Sequence, residues 1–443
     1  HTILSDHRKQ KIMKTFNVGL IGMGTVGTGV AKILLEKDSP LLEKLDCVPV
    51  LKGIADSNPD VKNKLNLSPG ILFTNDAKAL LDNPDIQVVV ELIGGLNPAK
   101  GIIMAALEKG KDVVTANKML LALHGSELFG KARQHGKSIS FEASVGGGIP
   151  IIAALRDGFI ANRIESIFGI VNGTTNYILT KMTKENVKYS DALAEAQKLG
   201  YAEKDPTMDV EGIDSSHKLA ILARLGFGVD IDYNRIYHEG ISAVDLAGIW
   251  YAHELGYTLK LLAIAKKTEK NIELRVHPTL LPHDHPLSSV NGVFNAICVN
   301  GNAVGEIMLY GRGAGQMPTA SAVVADLVDV ALGRAGITFN AMKTFSGRCE
   351  RIPIADILQI KTRYYLRFSV VDKPGVLAKI SGILGNYEIS IASVIQHKAK
   401  ESGNVPLVIM THLAEEGNLQ KALTEIKRLD VIKDNTKFLR VEE

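Results

Sequence analysis

The segment 200–218, GYAEKDPTMDVEGIDSSHK, carries the densest chemistry in the chain: five acids and two lysines fall within sixteen residues around a proline-marked turn. If a helix starts near Gly212, Asp214 and Lys218 stand at i and i+4 and share a face. A carboxylate and an ammonium held together in a cleft can bind a zwitterionic substrate and supply a proton. The plainer alternative is a solvated ion pair, which contributes little. A second lysine, Lys118, lies in TANK (115–118) just after a strand-like run. Ligands of open α/β sheets collect at that edge; a surface lysine is the alternative. Glu142 opens EASVGGGIP (142–150), where an acid beside exposed carbonyl oxygens suits a hard cation. A flexible crossover between domains accounts for that spacing equally well.

Gly22-Met23-Gly24-Thr25-Val26-Gly27 follows the apolar run 16–21 and opens a helical pattern. The G-x-G-x-x-G spacing supplies a tight turn, a close backbone approach and a helix–strand contact, and it faces a helix N-terminus toward a pyrophosphate. In this context the six residues read as a dinucleotide-binding loop rather than a plain strand–helix turn. Asp56 ends the next strand-like run, where a carboxylate would accept from a ribose 2′-hydroxyl and repel a 2′-phosphate, favouring NAD. Lys52, Lys62 and Lys64 could counter that repulsion, and a solvated turn acid is the alternative. Gly94 ends a further strand, and YGRGAG (310–315) offers a second glycine-rich approach that ends on Gly315. His283 and His285 flank Asp284, but the neighbouring prolines and the lack of a third ligand make a polar turn of them rather than a metal site.

The elements that position these groups follow from periodicity. Apolar runs at 16–21, 48–55, 86–92, 112–115 and 138–142 alternate with helical patterns at 25–37, 98–109 and 125–135. That alternation is the signature of an α/β fold with a parallel, doubly wound sheet over 14–145. From 150 to 225 the pattern is mostly helical, 255–310 suggests strands, and a long helix covers 319–333. Beyond 361 come a strand (364–370), a helix (376–387), strands at 389–397 and 406–412, a helix (418–429) and a strand (436–441). This βαββαβ order describes a ferredoxin-like unit.

Composition sets the outer bounds. At roughly 150 residues per domain, 443 residues suggest about three domains. Lys and Arg number 51 against 48 Asp and Glu, a balance unlike that of a dedicated nucleic-acid binder. Hydrophobic residues make up 46%, enough for sizeable cores. Three cysteines are too few and too scattered for a disulfide framework, and no apolar run reaches membrane-spanning length. A cytoplasmic protein that engages neither nucleic acid nor membrane is expected.

Taken together, GMGTVG, VVELIGG (89–95), TANK, FEASVGGGIPII (141–152), NGTTNYIL (172–179), GYAEKDPTMDVEGID with HKL (200–219) and YGRGAGQMPTASAV (310–323) resemble homoserine dehydrogenases. The match is to the long monofunctional bacterial form, and the segment from Tyr364 resembles its C-terminal ACT domain. The resemblance implies reversible NAD(P)H-dependent reduction of L-aspartate 4-semialdehyde to L-homoserine, a step toward threonine, methionine and isoleucine. It implies that Lys218 donates the proton, that Lys118 lies close to nicotinamide and substrate, and that Gly200, Glu203, Asp209 and Asp214 bind substrate. Glu142 and the carbonyls of Val145, Gly147 and Ile149 match the site of a structural monovalent cation, usually sodium. The implied cofactor contacts are Gly22 to Gly27, Asp56, Gly94, Lys118 and Gly315.

The resemblance further implies a Rossmann-type cofactor domain at 14–150 with a return segment at 313–345. It adds an α+β catalytic and dimerisation domain at 151–312, a linker at 346–361 and an ACT domain at 362–443, in a homodimer or homotetramer. Feedback by threonine is expected at Asp372, Gly375, Val376, Asn386, Ile389 and Ser390; an ACT domain kept for assembly alone is the alternative. Many relatives carry an arginine just after the second strand. Here the stretch reads Ala55-Asp56-Ser57-Asn58, which favours NAD or dual use. Residues 1–13 match nothing in the family. Two other readings are a dehydrogenase of another amino-acid aldehyde or oxo acid, and a catalytically silent amino-acid sensor. The 200–219 block weighs against the first, and the presence of both Lys118 and Lys218 against the second.

Overall fold

A computed structural model describes residues 14–65, 67–346, 349–396, 404–433 and 436–443. Residues 1–13, the end of the strand expected at 389–397, and the side chains of Lys62 and Lys64 lie outside the described set. The chain divides into two compact units, one comprising residues up to Gly148 and from Gly315 to 346, the other Ile149–Ala314 and the residues from Cys349 onward.

The first unit is built on six parallel strands: β1 (Lys14–Ile21), β2 (Cys47–Ala55), β3 (Leu72–Thr74), β4 (Val88–Glu91), β5 (Asp112–Thr115) and β6 (Ile139–Ser140). Their order is β3-β2-β1-β4-β5-β6, so the winding reverses between β1 and β4 and opens a crevice at their carboxyl ends. Val18, Leu20, Val88, Val90 and Val114 are fully buried, as expected of strands covered on both faces. The short edge strand β3 was not expected from the sequence; three partly exposed residues are too few to leave a periodic signal. The helix Gln316–Ala331 packs onto the helix Thr25–Leu35. A Cβ on Gly29 would stand 2.8 Å from the Gln316 carbonyl oxygen and 2.9 Å from the Ala320 Cβ, so the helices meet almost backbone to backbone. Phe339 and Phe345, 4.7 Å apart and stacked, insert beside Phe129 and Phe141.

The second unit holds β7 (Ile164–Ile170), β8 (Tyr237–His238), β9 (Tyr257–Lys267), β10 (Ile272–Pro282), β11 (Phe294–Gly301) and β12 (Gly305–Arg312), covered by helices that include Gly173–Glu185 and Ile213–Phe227. The stretch 150–225 is mostly helical, as expected, with β7 the exception. Ile164, Ile167 and Phe168 fall at i, i+3 and i+4, which imitates a helix, but β7 is an interior strand between β11 and β9. The βαββαβ order is present as β13 (Lys361–Val371), the helix Val376–Asn386, β14 (Ile391–Gln396), β15 (Asn404–Thr411), the helix Glu416–Ile426 and β17 (Lys437–Val441), with the two-residue β16 (Ala414–Glu415) as an addition.

The two sheets of this unit are continuous, because β17 pairs in parallel with β10 through Thr279–Arg440 and Leu280–Val441. Just beyond β17, Glu442 is 5% exposed and bonds the buried Arg275 guanidinium and, at 2.6 Å, the Lys266 ammonium. Arg440, also buried, is held by Glu416 and by Glu239 at 2.8 Å. A buried guanidinium is tolerated only with such partners.

Candidate active site

In the first unit, three strand ends shape the crevice. Gly22 follows β1 with φ +96°, and a Cβ there would meet the Leu92 backbone at 2.7 Å. A Cβ on Gly27 would come within 2.0 Å of the Gly22 carbonyl oxygen. Gly24 has open space above it, and the helix Thr25–Leu35 starts from it with no side-chain cap. Its first N–H groups are therefore left for an outside anion. Thr25 is exposed and Val26 half-buried at that opening, whereas the Met23 side chain turns into the core. This cradle fits the pyrophosphate of a dinucleotide.

Asp56 comes directly after β2. Its Oδ2 accepts the Met23 backbone N–H at 2.5 Å and its Oδ1 that of Asn58 at 2.8 Å. The expected ribose acid thus also braces the glycine loop. A second carboxylate, Glu91, is fully buried at the end of β4. It accepts from the backbone N–H groups of Ile93 (2.8 Å) and Gly94 (3.1 Å) and from the Thr115 hydroxyl (2.8 Å). Asn117 donates to the Gly95 carbonyl at 2.7 Å and caps the helix Lys118–Gln134 by accepting from Leu120 N at 3.1 Å. Gly94 and Lys118 are placed by this lattice, Lys118 as the first residue of its helix and half-buried. Sequence reasoning quoted the segments but gave Glu91 and Asn117 no role. A carboxylate at the end of an apolar strand was the available signal.

In the second unit, Asp214 and Lys218 do share a helix face, but the pair is not solvated. The two residues are 4% and 7% exposed, with Nζ 2.7 Å from Oδ2. Lys218 Nζ also donates to the Val171 carbonyl at 2.6 Å. Asn172, 5% exposed, donates from Nδ2 to Asp214 Oδ2 at 2.9 Å and to Asp209 Oδ1 at 2.7 Å. Its Oδ1 accepts from Thr175 N at 2.9 Å and so caps the helix Gly173–Glu185. Asp209, Asp214 and Lys218 are therefore gathered around one amide that was not singled out in the sequence. Glu203 and Gly200 stand apart from this network, exposed on the turn after the helix Tyr189–Lys198, with Gln197 donating to the Glu203 carbonyl at 3.1 Å. A buried lysine that the sequence did not suggest, Lys260, is 1% exposed and donates to Asn176 Oδ1 at 3.3 Å; burial pushes its pKa down to about 8.

Glu142 is 6% exposed at the start of a short turn, its N–H donating to Asp326 Oδ2 at 2.8 Å. Gly146 and Gly147 follow with φ of +73° and +58°, winding the chain after Val145. Ile149 opens the other unit, and its carbonyl accepts from Ile151 N at 2.8 Å. Gly315, φ +131°, precedes the helix Gln316–Ala331 in the first unit. His283 and His285 occupy a turn after β10, where His285 Nδ1 accepts from Leu287 N at 3.1 Å, the polar turn that was expected.

The expected effector set divides. Asp372, Gly375 and Val376 lie at the start of the helix Val376–Asn386, while Asn386, Ile389 and Ser390 lie at its far end. Eleven residues of helix span about 16 Å, so no small ligand touches both groups within one chain.

Family models for the homoserine dehydrogenase NAD-binding domain, the homoserine dehydrogenase domain and the ACT domain match residues 22–142, 150–328 and 364–431. The chain is 44% identical over 435 residues to a homoserine dehydrogenase of Pseudomonas aeruginosa, covering 97% of this chain and 100% of that one. A crystal structure of a homoserine dehydrogenase from Thiobacillus denitrificans superposes with a TM-score of 0.91 at 43% identity, covering 97% and 99% of the two chains. A hyperthermophilic archaeal homoserine dehydrogenase mutant in complex with NADPH matches with a TM-score of 0.61 at 29% identity, covering 72% of this chain and 98% of that one. Glycine cradle, buried acid–lysine pair and ACT fold thus fall within matched regions, and the chain belongs to the homoserine dehydrogenase family.

Proposed function

We propose that this chain interconverts L-homoserine and L-aspartate 4-semialdehyde, using Lys218 as the proton donor and acceptor. The observation that carries this reading is the network of buried Lys218, Asp214 and Asn172 with the partly exposed Asp209. When bound, NAD or NADP supplies or takes up the hydride. As hydride reaches the aldehyde carbon, negative charge develops on the oxygen. An ammonium at Lys218 Nζ stabilises that charge and then gives up its proton, and Asp214 favours the charged form and fixes its direction. Asp209 and the exposed Glu203 and Gly200 turn receive the substrate's own α-ammonium. Lys118, at the crevice of the cofactor unit, would lie beside the nicotinamide. Asp56, beside the glycine loop, supports NAD or dual use over strict NADP.

Finer assignments belong to the same proposal. The cofactor domain comprises 14–150 and the return segment 313–345, with catalysis and dimerisation in 151–312 and regulation in 362–443. Glu142 with the carbonyls of Val145, Gly147 and Ile149 would hold a sodium ion that stiffens the crossover. Threonine would bind the ACT domain. Because its two groups of contacts are separated in one chain, such a site draws on two copies, consistent with a homodimer or homotetramer in the cytoplasm. Among the described residues no helix is long and apolar enough to cross a membrane.

The test is a steady-state assay with L-homoserine and NAD or NADP, with and without threonine and sodium. Absence of nucleotide reduction with both cofactors refutes the activity. Lys218→Ala should lower kcat by about a thousandfold while nucleotide binding, read by fluorescence, is retained; near-normal kcat refutes the role given to Nζ.

A further inference from the structure

Lys260, on β9, is 1% exposed, yet its ammonium donates only to oxygens without formal charge. These are the Val290 carbonyl, Asn176 Oδ1 at 3.3 Å and Asn291 Oδ1 at 3.4 Å. None of these partners is a carboxylate. Burying a cation is costly, and an apolar side chain of similar length would avoid the cost. The neighbouring oxygens show what the ammonium is needed for. Asn176, 2% exposed, turns Nδ2 toward three carbonyls, those of Val290 (3.2 Å), Gly292 (3.0 Å) and Phe294 (3.0 Å). An amide nitrogen has only two hydrogens. The third carbonyl requires another donor, and Lys260 supplies it at Val290. The loop 290–294 is thereby wound around one amide and one ammonium. On its other side, Gly292 N donates to Thr180 Oγ1 at 3.0 Å.

The same loop bears on the start of the helix Gly173–Glu185. A Cβ on Gly173 would stand 2.8 Å from the Val293 carbonyl oxygen, so loop and helix start meet with no slack. Directly before Gly173 stands Asn172, whose amide joins Asp209 to Asp214. One residue earlier, the Val171 carbonyl accepts from Lys218 Nζ. A loop that relaxes therefore disturbs two anchors of the acid–lysine pair at once. We propose that Lys260 is a positioning residue for the reaction at Lys218: it fixes the 290–294 loop, and the loop, pressed on Gly173, fixes Asn172 and Val171. Its own partners include neither Lys218 nor the substrate acids. Without the ammonium, Asn176 Oδ1 and Asn291 Oδ1 lose their donor, and three converging carbonyls are left with the two hydrogens of one amide. The inference rests on the dehydrogenase reading and adds to it a lysine that acts only through its neighbours.

Lys260→Met retains the length of the side chain and removes its three donors. Hydrogen–deuterium exchange of the full-length protein reads the loop itself, independently of any reaction. The amides of 290–294 should exchange about tenfold faster in the variant. Steady-state homoserine oxidation reads the consequence, an expected loss of about tenfold in kcat/KM. The loss should divide between a raised KM, from displaced Asp209, and a lowered kcat, from displaced Lys218; loss of folded protein would lower kcat alone. Because the effect passes through Asn172, Lys260→Met should cost no more than about twofold in an Asn172→Ser background. Thr180→Val loosens the loop from its other side and should lower kcat/KM about threefold. It decides the matter if circular dichroism shows that Lys260→Met does not fold. Unchanged exchange or unchanged kcat/KM in Lys260→Met overturns the proposal, as does a loss confined to kcat. A tenfold loss that persists beside Asn172→Ser, or a normal Thr180→Val, overturns it too. A parent that oxidises no homoserine refutes the dehydrogenase reading and the role at Lys218 together, whereas an active parent with a normal variant refutes the role alone.

Discussion

Replacing Asn172 separates two tasks that a single amide performs. Its Oδ1 caps the helix Gly173–Glu185, and its Nδ2 bridges Asp209 and Asp214. Loss of a cap costs about 1 kcal/mol. A hydrogen bond to a charged group contributes about 1.5–3 kcal/mol. Asp209 is partly exposed, so water replaces its bond at little cost, whereas Asp214 is 4% exposed and has no such access. Asn172→Ser retains a capping oxygen and loses the bridge, for an expected loss of about 2 kcal/mol. Asn172→Ala loses both, about 1 kcal/mol more. Asn172→Asp retains the cap and the shape but turns the donor into a third carboxylate facing the other two.

If Asp214 directs Lys218 only while bridged, Ser and Ala should lower kcat/KM alike, by about tenfold to a hundredfold. Asp should be the worst of the three for activity although its cap survives. Urea unfolding gives the stability order, and steady-state homoserine oxidation gives kcat and KM. If Ala lowered activity well beyond Ser, in step with the lost cap, or if Asp were nearly normal, the bridge would have no catalytic part and the reasoning would fail.

Two further outcomes can be measured. Glu91→Ala unpins the 93–95 turn and should raise the nucleotide Kd about tenfold in a fluorescence titration, with Glu91→Gln intermediate; an unchanged Kd in the Ala variant would show that the turn holds its shape without the carboxylate. His277 is fully buried, accepts from Arg275 Nε at 3.2 Å, and is held well below the usual histidine pKa by burial, then by Arg440 and Arg275. A depressed histidine pKa means that the unfolded chain takes up a proton the folded one refuses. The stability from this group is complete above about pH 6.5 and declines by up to about 1.4 kcal/mol per pH unit below it. His277→Gln should flatten that acid limb in denaturant melts between pH 7 and 5; a parallel decline in both proteins would assign the limb to other groups.

Much of the cofactor unit was legible because its signals are local. An apolar run, a glycine spacing and a helix pattern occupy adjacent residues, and the βαββαβ order from 361 reads the same way. β7 was not, since an interior strand with buried residues on both faces shows no clean alternation and Ile164, Ile167 and Phe168 mimic a helical stripe. In the site, the i, i+4 relation of Asp214 and Lys218 follows from helix geometry alone. Their burial does not, because a charged run reads as solvated until a third element covers it. Asn172 was illegible for a related reason: its cap is local, but its bridge reaches residues 37 and 42 positions away. The division of the ACT contacts was legible too, since the expected helix at 376–387, observed as Val376–Asn386, already separates the two groups.

The parallel pairing of β10 with β17 has a consequence for anyone who would excise the region from Lys361 onward as a detachable module. β8 would still pair with β10 at 275–276, but the stretch around 279–280 would become an open edge with unpaired N–H and C=O groups, a template for strands of other molecules. Arg275 would lose Glu442 in the same cut, leaving a guanidinium in the interior with one partner carboxylate fewer. The shortened protein should therefore stick to itself before it shows any change in turnover.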